Sequence, residues 1–117
     1  MKRSIIICLT LSSVLTACSR RDTKLAQEVS GTWTHGGHEI AMTPDGSFSE
    51  TFNSTNGNIT YTGKWQIRGG VLIFAVTNAS GTLPHEPVGG VDRYKIISVD
   101  SQELVYESDG QKINLSR

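Results

Sequence analysis

From Asn58 to Arg68 the side chains change character at every step. Ile59, Tyr61, Gly63, Trp65 and Ile67 fall on one face of an extended chain, and Thr60, Thr62, Lys64, Gln66 and Arg68 on the other. A period of two is the geometry of a β-strand with one face in a core and the other in water. On a helix the same residues would scatter apolar groups around the whole circumference. This segment therefore has to be a strand, and its neighbours must supply partners for both edges.

The surrounding sequence supplies them. Short runs rich in Thr, Val, Ile, Tyr and Phe predict strands over 31–35, 39–43, 47–52, 58–68, 71–78, 91–99, 103–108 and 111–116. Between them stand turn residues with defined chemistry: Pro44-Asp45-Gly46, and the hairpin dipeptides Asn56-Gly57, Gly69-Gly70 and Asp109-Gly110. With connections this short, consecutive strands pair in an antiparallel up-and-down meander. The expectation is an all-β domain, a small eight-stranded antiparallel barrel. Val71 to Val76 is apolar on both faces, which predicts a strand covered on both sides, with the initial segment or the neighbourhood of a membrane anchor as the cover. One connection is long: 79–90 carries Gly81, Pro84, Pro87, Gly89 and Gly90, and loops of this length are often functional. Ahead of the barrel, Asp22-Thr23 reads as the cap of a short helical turn through Gln27, with Leu25 and Val29 on one face.

The first residues have a different logic. Lys2 and Arg3 precede a short apolar run, and Leu15-Thr16-Ala17-Cys18 follows it. The run is shorter than the roughly 20 apolar residues a membrane-spanning helix needs. It has the order of an export signal with small residues before the cut. Residues 1–17 are read as a lipoprotein signal peptide and Cys18 as the lipidated residue, because its thiol is the nucleophile available at the cut. Residues 18–30 are then a tether and helical turn, and 31–117 the barrel. Cutting before Cys18 leaves 100 of the 117 residues, with 9 of the 11 basic residues against 11 acidic ones. That balance argues against nucleic acid as a partner, since such binding wants a basic face. Cys8 leaves with the signal and lipid consumes Cys18, so no disulfide is expected.

Gly31-Thr32-Trp33, preceded by a short helical turn, resembles the opening motif of the lipocalins. The resemblance implies that an arginine after the last strand packs over that tryptophan, and Arg117 is placed to do so. Such a contact gains about 0.5–2 kcal/mol and joins the first and last strands. Thr43-Pro44-Asp45-Gly46-Ser47-Phe48 and Tyr61-Thr62-Gly63-Lys64-Trp65 resemble phrases in the lipocalin-like domains of small bacterial lipoproteins. The chain is shorter than a typical lipocalin and lacks the family's middle Thr-Asp-Tyr motif. An eight-stranded barrel is either just filled by its own side chains or holds one small ligand. The resemblance implies a non-catalytic, lipid-anchored envelope domain. Ser19 after the cysteine leans towards the outer membrane, facing the periplasm or the cell surface.

Under a binding role, Phe48, Glu50, Phe52, Tyr61, Trp65 and Phe74 would line a pocket for a small apolar ligand, with 79–90 as its lid. The competing role is a protein-binding module, such as an inhibitor or immunity protein against a secreted enzyme, or a partner of another envelope protein. Glu50 shares a face with Phe48 and Phe52. The preferred reading places it in water on a frayed edge strand. If that face turns inward, burial demands a partner: Lys64, Arg68, Arg93, or a cationic or hydroxylated ligand. His35-Gly36-Gly37-His38, with His85, invites a metal reading, but zinc takes three or four ligands in tight geometry. The glycines read better as a hairpin turn that leaves both histidines exposed. No metal and no cofactor are expected, and no Ser/His/Asp arrangement follows from spacing.

Overall fold

The computed structural model describes residues 20–85 and 88–117. The signal segment and Cys18 lie outside the described residues. A helix, α1, occupies residues 20–29. Eight strands follow: β1 (Gly31–His35), β2 (His38–Met42), β3 (Ser47–Ser54), β4 (Gly57–Arg68), β5 (Val71–Gly81), β6 (Val91–Val99), β7 (Glu103–Ser108) and β8 (Gln111–Ser116). Each pairs antiparallel with the next, and β8 returns to β1, so the sheet is a closed barrel with up-and-down order.

The strand ends differ from the sequence expectation where turns are set by pairing. Ser54 pairs with Gly57, so Thr55 and Asn56 make the β3–β4 turn and Gly57 already belongs to β4. Strand β5 runs to Gly81 because its end continues to pair with β4, as far as Ile59 opposite Gly81. The Asp109-Gly110 turn is as expected, with φ of 51° and 80°, the doubly positive geometry whose twist suits a two-residue hairpin.

The barrel is filled through its middle and at one end. Trp33, Ile40, Met42, Leu72, Leu104 and Leu115 are at most 2% exposed, and Phe48, Phe74 and Tyr106 pack with them. Helix α1 closes that end. Val29 is wholly buried and Ala26 packs against the core. Asp22 does not cap the helix, which has already begun by residue 20. Its carboxylate accepts the amides of Gly69 (2.8 Å) and Gly70 (3.1 Å) and ties α1 to the β4–β5 turn. The expectation that this segment covers the outer face of β5 is thereby corrected. The apolar stripe of α1 is spent on the barrel end, and Val71, Ile73 and Ala75 stay half-buried. The turns at this end are also pinned. The Thr43 hydroxyl and the Ser47 amide hold the Asp45 carboxyl below the usual carboxylate range, and the Gln102 and Glu103 amides do the same for Asp100.

Closure between β1 and β8 is thin, a single register pair of Thr34 with Ser116. Arg117 reinforces it. Its guanidinium carbon lies 3.9 Å over the Trp33 ring, and its nitrogens donate to the carbonyls of Ser30 (2.7 Å), Glu28 (3.1 Å) and Ser101 (3.1 Å). One side chain thus bridges α1, the entry to β1 and the β6–β7 turn. Arg117→Ala is expected to cost about 1–2 kcal/mol, the ring contact plus exposed charge-assisted hydrogen bonds. In a domain of this size that is a fall of about 10 °C in Tm. Tryptophan fluorescence should shift with it; unchanged melting and emission would show that the contact carries no energy.

Candidate functional site

The end away from α1 is built differently. Strands β4 and β5 are the longest in the barrel, and they stay paired with each other beyond the point where β6 begins. Pairing between β5 and β6 runs only from Val71 opposite Lys95 to Ala75 opposite Val91. Just beyond it, β5 carries a bulge. Gly63 faces Val76 but Thr62 faces Asn78, which leaves Thr77 as the extra residue. The bulge reverses which residues of β5 point inward. Two hydrogen bonds bring the chain back, Val76 N–H to Gly90 O (3.0 Å) and Gly89 N–H to Val76 O (2.8 Å). The loop begins pinned to the start of β4, where Asn58 O accepts the amides of Thr82 (2.9 Å) and Leu83 (3.0 Å).

At this end lies a cleft of about 310 Å³ lined by Glu50, Phe52, Tyr61, Val76, Gly90, Asp92 and Tyr94. Glu50, Phe52 and Tyr61 are three of the six residues the sequence nominated. The other three lie deeper. Phe48 and Phe74 meet at 4.7 Å with their rings tilted by 60° in the filled middle of the barrel, 4% and 3% exposed. Trp65 is buried towards the α1 end, where its indole N–H donates to Thr43 O (2.9 Å). These three are core residues rather than cleft lining, because in so narrow a barrel inward aromatic rings meet each other and leave no space between them.

Glu50 does not sit in water on a frayed edge. Strand β3 is paired along both sides, with Ile40 and Tyr61 opposite Glu50. The side chain is only 18% exposed, and Oε2 lies 2.6 Å from His38 Nε2. Its partner is therefore a histidine on the neighbouring strand and none of the lysine and arginines considered. His38 is likewise not exposed. It is held between that carboxylate and the ring of Phe52, stacked at 4.2 Å and 8°. His35, across the Gly36-Gly37 turn, is exposed. Among the described residues no group of three His, Cys, Asp or Glu side chains is arranged to hold a metal ion.

An aromatic chain leads inward from the mouth. Phe52 meets Tyr61 edge-on at 6.3 Å, and on the opposite wall Tyr94 packs on Phe74 at 5.9 Å and on Tyr106 at 4.7 Å. Burial, and then the negative charges of Asp92, Glu50 and Asp109, push the Tyr94 phenol up to about 12. Burial also raises Tyr106. Both phenols are neutral hydrogen-bonding groups at any physiological pH. His38, Val76, Asp92 and Tyr94 are the site residues the sequence reading missed. Asp92 and Tyr94 had a usable signal, since they alternate with Arg93 and Lys95 on a recognised strand.

A lipocalin-like protein from Bacteroides uniformis has a similar fold. Its crystal structure superposes with a TM-score of 0.60 at 16% sequence identity, over 77% of this chain and 98% of that one. No protein-family model matches the sequence, and no curated protein matches it. Among the described residues the architecture is a lipocalin-like closed barrel of eight antiparallel strands with one short helix.

Proposed function

We propose that the protein is a lipid-anchored, non-catalytic lipocalin-like domain of the cell envelope that binds a small molecule in the open mouth of its barrel. The cleft carries the reading: one end of the barrel is plugged by α1, and the other holds a cleft with aromatic walls. Clefts with apolar walls and a few placed polar groups are the usual form of small-ligand sites. In the sequence Cys18 precedes the described start of α1 by two residues, and α1 plugs the barrel base, so a lipid on Cys18 would tether the domain from that end. Among the described residues no helix is long and apolar enough to cross a bilayer.

Exposed apolar side chains beside the mouth favour a second reading, the protein-binding module. Val88 is 51% exposed and Val91 45%. Native mass spectrometry of the protein released from its own envelope separates the two. A small co-purifying mass is the expected result; a stoichiometric protein partner would favour the second reading, and an empty chain would count against both. In the same cells, labelled fatty acid should mark the wild-type protein and be absent from Cys18→Ser.

A further inference from the structure

The cleft has a charge as well as a shape. Among the described residues, two of its lining side chains, Glu50 and Asp92, are carboxylates, and none is a lysine or arginine. The cations of β6 are turned outward: Arg93 and Lys95 alternate with Asp92 and Tyr94 and are exposed. Asp109, in the β7–β8 turn at the same end, adds a third negative charge felt at Tyr94. The His38 ring beside Glu50 is engaged by that carboxylate through Nε2 and by Phe52 across its face. The remaining walls are the rings of Phe52, Tyr61 and Tyr94. Aromatic faces carry negative quadrupole density and attract cations, most strongly where water is excluded. A carboxylate ligand would meet like charge here.

We infer that the cleft takes a small organic cation, an ammonium or guanidinium head on a compact aromatic or apolar body. The head sits towards Glu50 and Asp92, and the body lies among the three rings. The inference rests on the cleft being a small-molecule site, and the closing experiment keeps the two apart. Three probes of equal body are titrated into the full-length protein in detergent: 2-phenylethylamine as the cation, 2-phenylethanol as the neutral analogue and phenylacetate as the anion. Binding is followed by intrinsic fluorescence and by chemical-shift changes at Tyr61 and Tyr94.

The cation should bind at least tenfold more tightly than the alcohol, and the anion more weakly than either. Asp92→Asn, an exposed substitution that leaves the core untouched, should reduce the cation-to-alcohol preference severalfold. Glu50→Gln, which keeps a hydrogen-bonding group opposite His38, should do the same. Equal binding of cation and alcohol would overturn the inference while leaving the small-molecule reading in place. No binding of the cation, with no mass co-purifying from the envelope, would overturn both. A preference that persists unchanged in both variants would also overturn it, because the charge would then be recognised elsewhere.

Discussion

Trp33→Ala is expected to destabilise the domain by about 4 kcal/mol, the range for removing a fully buried large aromatic side chain. The indole is completely buried at the α1 end, and three separate interactions converge on it. Its ring fills the base of the barrel. Its Nε1–H satisfies the buried carbonyl of Val29 at 2.8 Å, which holds the last turn of the helix against the sheet. Its face carries Arg117. Truncation leaves a cavity, an unsatisfied acceptor and a guanidinium without its platform. Since small domains hold only about 5–15 kcal/mol in total, much of the margin goes with one residue. Urea titration of the variant should give a midpoint well below wild type with the same slope. Trp33→Phe keeps one aromatic ring and loses the pyrrole part with its N–H, and is expected to cost about half as much. In the Trp33→Ala background, Arg117→Ala should cost less than in wild type, since the two residues share one contact. Full additivity would mean that the arginine acts through its carbonyl contacts alone.

The barrel was largely legible in the sequence because its information is local. The alternation in β4 and the Gly-containing turns depend on residues a few positions apart, and Gly31-Thr32-Trp33 with Arg117 marks the two edges that must meet. The site was less legible because its determinants are pairings between strands. Phe48, Glu50 and Phe52 share a face by simple period-two logic, but whether that face is a core or an edge depends on β2 lying alongside. Once His38 is placed opposite Phe52, the pleat brings its ring diagonally to Glu50, and the exposed-carboxylate reading fails. The phase slip at Thr77 is a second such case. Leu72, Phe74 and Val76 point inward by alternation, which carried onward would turn Asn78 inward as well. The bulge gives that place to Ala79, opposite Tyr61. Nothing in the run Val76-Thr77-Asn78 marks the extra residue, which is set by the pairing of β5 with β4.

The second large effect falls beside that bulge, at Gly63. Glycine inside a strand ordinarily weakens it by roughly 0.5–1 kcal/mol relative to alanine, so propensity alone would make Gly63→Ala favourable. The local geometry reverses the sign. A Cβ on Gly63 would lie 2.0 Å from the carbonyl oxygen of Ala75 and 3.0 Å from its carbon, with the Phe48 ring 3.0 Å away on the other side. The first obstacle is backbone of the paired strand and has no rotamer to change. Strands β4 and β5 would have to separate beside the bulge, and the expected cost is about 3 kcal/mol or more, at the upper end of overpacking effects. Thermal melts should show a loss of at least about 12 °C. Phe48→Leu added to Gly63→Ala should not rescue it, because shortening the ring leaves the carbonyl where it is. Rescue would place the strain in the ring instead. Gly69→Asn is the counterpart, since a Cβ there meets nothing and asparagine tolerates its φ of 61°, so that variant should melt near wild type. Val76, the partner of Gly63, lines the cleft. The close approach that forbids a side chain at Gly63 therefore also sets the wall of the mouth, and any folded Gly63→Ala protein should show altered probe binding along with its lowered stability.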